Sequence, residues 1–78
     1  MDLRLEFTIE PFVQGDPGPH VHAGLQAAAG EGVTVDFGPF GTTVAGPSDP
    51  VLDAAGRILR AAIGAGATRI SLQVARAD

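Results

Sequence analysis

A period-2 alternation of apolar residues gives way twice to helical spacing and twice returns, and each change falls at a Gly/Pro-rich stretch. Leu3, Leu5, Phe7 and Ile9 alternate with Arg4, Glu6, Thr8 and Glu10, the pattern of a strand with one apolar and one polar face. Pro11 cannot donate to a ladder and ends the pairing. Gly15-Asp16-Pro17-Gly18-Pro19 is a turn cluster. Either Asp16 caps a helix with Pro17 in its first position, or Pro19 opens it. The spacing predicts that helix from about His20 to Ala29, with Val21, Leu25 and Ala28 as a narrow apolar stripe. Gly24 weakens it and Gly30 ends it.

Val33, Val35 and Phe37 alternate with Thr34 and Asp36 in a second strand, and Gly38-Pro39 makes a turn. Thr42, Val44 and Gly46 alternate with Thr43 and Ala45 in a third strand, close enough to the second to form a hairpin. Ser48-Asp49-Pro50 supplies a capping side chain followed by proline in the first turn of a second helix. Val51, Leu52, Ala55, Leu59, Ala62 and Ile63 are expected to form its core face, with Asp53, Arg57 and Arg60 turned away and Asp53–Arg57 paired at i,i+4. Gly64 and Gly66 end it. Ile70, Leu72 and Val74 alternate with Arg69, Ser71, Gln73 and Ala75 in a fourth strand, and Arg76-Ala77-Asp78 reads as a frayed tail.

The order is βαββαβ, an α/β (α+β) arrangement of the ferredoxin-like, split-βαβ kind. It predicts an antiparallel sheet in the order 4-1-3-2, with strand 1 central and both helices on one face. The other face then presents Arg4, Glu6, Thr8, Thr43, Ser71 and Gln73. That face is polar but weakly charged, which suits a ligand or a partner.

Residues 1–78 make one domain. A chain of this size buries roughly 60% of the surface its unfolded form exposes. Without cysteine it has no disulfide or thiolate site to reinforce a thin core, so self-association as a dimer or tetramer is expected. The formal charge is −4, all five basic residues are arginine, and there is no tryptophan or tyrosine; these features argue against a nucleic-acid partner. No apolar run reaches the roughly 20 residues needed to span a bilayer, and Met1-Asp2-Leu3-Arg4 begins no signal-peptide core. The expectation is a cytoplasmic protein without membrane insertion.

Three segments carry a family likeness. Glu6-Phe7-Thr8-Ile9-x-Pro11 is similar to a first strand that reads acid, apolar, Ser/Thr, apolar, any residue, proline. Pro39-Phe40-Gly41-Thr42-x-Val44-x-Gly46 and Gly66-Ala67-Thr68-Arg69-Ile70 follow in the same order and spacing. Together they resemble the YkoF-type family that binds thiamine and its hydroxymethylpyrimidine moiety, collinearly over nearly all of the chain. The first helix has fewer long side chains than is usual there, the third strand is less bulky at Thr43 and Ala45, and the end is less charged. The resemblance implies binding rather than catalysis, association through sheet faces and edges, and thiamine or hydroxymethylpyrimidine as ligand with no further cofactor.

Glu6, Thr8, Thr43, Ser71 and Gln73 are the candidate ligand-binding residues. A carboxylate at Glu6 can accept from an exocyclic amine or a protonated ring nitrogen. Alternatively Glu6 pairs with Arg4 or Arg69 at a subunit interface, and the neutral residues simply suit a solvated strand. Thr42 falls on the apolar phase and reads as structural. Phe12, Phe37 and Phe40 could stack on a pyrimidine, although core packing is the commoner use of phenylalanine. His20 and His22 are two apart and point about 200° apart on a helix, so they cannot share an ion there, and no metal is expected. Two other functions remain open: a structural or regulatory oligomerising subunit without a small ligand, and a cofactor-independent oxygenase or isomerase, for which fold alone is no argument.

Overall fold

The structure, a computed structural model, describes residues 1–12, 15, 18–38 and 41–77. The expected roles of Asp16, Pro17, Pro39, Phe40 and Asp78 lie outside the described residues. The elements are β1 (Asp2–Glu10), α1 (Pro19–Ala28), β2 (Thr34–Gly38), β3 (Gly41–Pro47), α2 (Ser48–Gly64) and β4 (Arg69–Arg76). The sheet runs β2-β3-β1-β4, and every pairing is antiparallel. This is the ferredoxin-like layout read from the sequence.

The core forms where the apolar phase of the strands meets the helices. Leu3, Leu5, Phe7 and Ile9 of β1 and Val44 of β3 are buried with Val21 and Ala28 of α1 and Val51, Ala54, Ile58 and Ala62 of α2. Pro19 opens α1, with Gly18 as its N-cap. The Gly18 carbonyl accepts from the backbone N–H groups of Val21 and His22 at 3.1 and 3.3 Å. Gly24, expected only to weaken this helix, has a packing function. A Cβ there would collide with the Cδ1 of Ile9 and lie 3.5 Å from the Cβ of Ala62, so the bare backbone lets α1 approach β1 and α2 closely.

Four expectations need correction. The core face of α2 is Val51, Ala54, Ile58 and Ala62, spaced by three and four residues. Leu52, Leu59 and Ile63 are instead 52, 37 and 62% exposed. The buried stripe alternates the larger Val51 and Ile58 with Ala54 and Ala62, and it is this stripe that meets the core of the sheet and α1. Ser48 is not a side-chain cap either. β3 runs into α2 without a loop, so the N-cap falls on Pro47 and no side chain caps the helix; the Ser48 N–H donates to the Met1 carbonyl at 3.0 Å. Arg57 is not held by Asp53. Its Nε donates to the Ala27 carbonyl at 3.0 Å, serving a last-turn carbonyl of α1 that has no intrahelical donor. Finally, Arg76 is not frayed: it pairs with Leu3 in the ladder, and the Ala77 N–H donates to the Asp2 carbonyl at 2.9 Å.

Gly46 closes the other end of the hairpin. Its φ is +156°, and a Cβ would strike the Gly32 carbonyl oxygen. Among the described residues no helix is long and apolar enough to cross a membrane.

Candidate functional site: a polar depression on the open sheet face

Strand pleating sends alternate residues of β1 to opposite faces. Because β1 lies between β3 and β4, its polar residues sit in the middle of the helix-free face with neighbours on both sides. The register places Glu6 opposite Thr43 of β3 and opposite Gln73 of β4, and Thr8 opposite Ser71. The five candidate residues thus form one contiguous patch. They line a single open depression of about 390 Å³, together with Phe7, Thr42, Gly38 and Gly41.

The hairpin end shapes it. Gly38 pairs with Gly41, and a Cβ on Gly41 would stand 3.2 Å from the Phe7 carbonyl and 3.4 Å from the Cγ2 of Thr8. Two residues without side chains keep this end of the depression open. The glycines were visible in the sequence as turn residues, but only the register shows them bordering Thr8.

The lining groups offer one carboxylate, four hydroxyls that donate or accept, and a carboxamide that does both. Glu6 is flanked across the strands by neutral residues. Arg4 lies opposite Ala45 and Ala75, and Arg69 lies opposite Glu10. Within one copy, then, the register brings neither arginine directly across from Glu6.

A second depression of about 370 Å³ opens on the helix side. It is lined by Ile9, Glu10, Phe12, Val21, Leu25 and Phe37, and shares Phe7, Thr8, Gly38, Gly41 and Thr42 with the first. Phe12 and Phe37 are 59 and 63% exposed rather than packed in the core. They border this largely apolar depression and not the polar one. Thr42 is buried on the same side, opposite Phe7 and Phe37.

The two imidazoles are apart from the sheet-face residues. His20 is buried, and its ring Nε2 hydrogen-bonds the Pro11 carbonyl; His22 is exposed. Neither is among the described residues that line the polar depression. Among the described residues no three His, Asp or Glu side chains are grouped as a metal would require.

The family described as thiamine-binding protein matches residues 5–78. A Bacillus cereus domain of unknown function, DUF77, superposes with a TM-score of 0.70 at 24% identity, over 96% of this chain and 73% of that one. A Thermotoga maritima protein, provisionally assigned to thiamine biosynthesis or salvage, superposes with a TM-score of 0.58 at 22% identity, over 96% and 81%. At these identities the two structures speak to the fold alone. No curated protein matches the chain.

Proposed function

As this chain belongs to the thiamine-binding protein family, we propose that it binds thiamine or its hydroxymethylpyrimidine moiety, without catalysis, on the helix-free face of the sheet. The observation that carries the proposal is the convergence of Glu6, Thr8, Thr43, Ser71 and Gln73 around one depression. An aminopyrimidine presents ring-nitrogen acceptors beside an exocyclic amine donor. The Glu6 carboxylate accepts from the amine, or from a protonated ring nitrogen, in a charge-assisted contact. Gln73, across the strand from Glu6, offers both a donor and an acceptor, and the hydroxyls complete the edge. The volume lies at the small end of the roughly 300–1,000 Å³ typical of ligand pockets, in keeping with a single substituted ring.

The chain contains no lysine, and no arginine is among the described lining residues. The diphosphate of thiamine diphosphate therefore gains no partner here. The depression is open, so a ligand lying in it keeps one face in water. Association of two copies through their sheet faces would cover that side, and the proposal includes such an oligomer, working in the cytoplasm. Calorimetric titration with thiamine, hydroxymethylpyrimidine and thiamine diphosphate tests the reading. Saturable heat from the first two, with no added affinity from the diphosphate, is expected. No saturable heat from any of the three at millimolar concentration overturns it.

A further inference from the structure

The outward side of α2 has no role in the core or in the sheet-face site, yet it is apolar. Leu52, Leu59 and Ile63 are 52, 37 and 62% exposed. With Gly56 they recur at steps of four, three and four residues, the spacing of a coiled-coil seam. The stripe runs about 16 Å along the helix. At its middle, nothing lies within 4 Å of where a Cβ on Gly56 would stand, so a second helix can approach the backbone there. Large apolar side chains left exposed along one stripe suit a docking partner.

The flanking charges select the occupant. Asp53 and Arg60 are both exposed and seven residues apart, so they border the same side of the stripe, the acid toward the N-terminus and the base toward the C-terminus. Arg57, the other base on this helix, is bonded to the Ala27 carbonyl. We propose that this face docks α2 of a second copy of the chain, antiparallel, about a two-fold axis near Gly56. Leu52 of one copy then meets Ile63 of the other, and Gly56 meets Leu59. Asp53 of each copy faces Arg60 of the other, giving two symmetric pairs. Parallel docking would set Asp53 and Arg60 opposite Ser48 and Ala55, leaving the charges unmatched. Antiparallel docking also opposes the two helix dipoles favourably. This surface is separate from any association through the sheet face.

Assembly mass by light scattering and sedimentation is the test. Leu59→Asp, at a partly exposed position, is expected to halve the mass while circular dichroism shows the fold retained. Asp53→Arg and Arg60→Asp should each weaken assembly by about tenfold or more. The double exchange Asp53→Arg with Arg60→Asp should restore it, a rescue that general damage to the fold cannot produce. An unchanged mass for Leu59→Asp, or a double variant no better assembled than the singles, overturns the proposal. Both outcomes are independent of ligand titration at the sheet face.

Discussion

On β1, Leu3, Leu5, Phe7 and Ile9 lie beneath the helices at 0 to 7% exposure, whereas Arg4, Glu6, Thr8 and Glu10 on the opposite face are exposed. The two sets belong to one strand and share one backbone ladder. Their difference comes only from which side of the pleat each side chain takes. A small domain with one sheet and two helices on one side can therefore divide its labour residue by residue: one phase supplies the core, and the other is free for recognition. Substitutions on the helix side should move stability, and substitutions on the open side should move binding.

The largest effect is expected on the helix side. Leu5 is fully buried, so Leu5→Ala should cost about 2–5 kcal/mol of unfolding free energy. Urea denaturation measures this, and a loss below about 1 kcal/mol, typical of surface sites, would break the comparison by showing that this side is not the true core. Gly46 is next. Its positive φ and the Gly32 carbonyl in the path of a Cβ mean that Gly46→Ala should cost about 1–3 kcal/mol. A neutral result in the same experiment would show that β3 and the segment at Gly32 part easily. The smallest effect belongs to the open side. Thr8→Val should leave stability within about 0.5 kcal/mol and lower pyrimidine affinity about fivefold, the loss of one neutral hydrogen bond. Unchanged affinity would remove Thr8 from the ligand's edge and narrow the site to Glu6, Thr43, Ser71 and Gln73.

The strands were legible in the sequence because period-2 alternation leaves a side chain only two choices, and Leu3 to Ile9 make the choice plain. From the order of the elements came the sheet order and the patch of Glu6, Thr8, Thr43, Ser71 and Gln73. α2 was harder. It carries two apolar stripes, and Leu52, Leu59 and Ile63 belong to the one left outside. Periodicity finds a stripe but not what packs against it; the one that meets the sheet and α1 is Val51, Ala54, Ile58 and Ala62. Arg57 was misassigned for a related reason. Its i+4 neighbour is visible in the sequence, while an unsatisfied carbonyl 30 residues away is not. Similarly, the cap at Pro47 depends on Asp2 pairing with that residue. At the site, parity identified the face, but the contribution of Gly38 and Gly41 depends on strand register, and the exposure of Phe12 and Phe37 depends on where the helices stop covering the sheet.

The most direct test of the division between faces is a single comparison of the wild-type protein with Glu6→Gln, each titrated with thiamine and hydroxymethylpyrimidine and each melted without ligand. The substitution keeps size and much of the hydrogen bonding but removes the charge. The expected result is a ten- to hundredfold loss of affinity, roughly 1.5–3 kcal/mol for a charge-assisted contact, with unfolding midpoint and assembly mass unchanged. Affinity equal to wild type, or a variant that falls apart before any ligand is added, would contradict the assignment of this face to recognition.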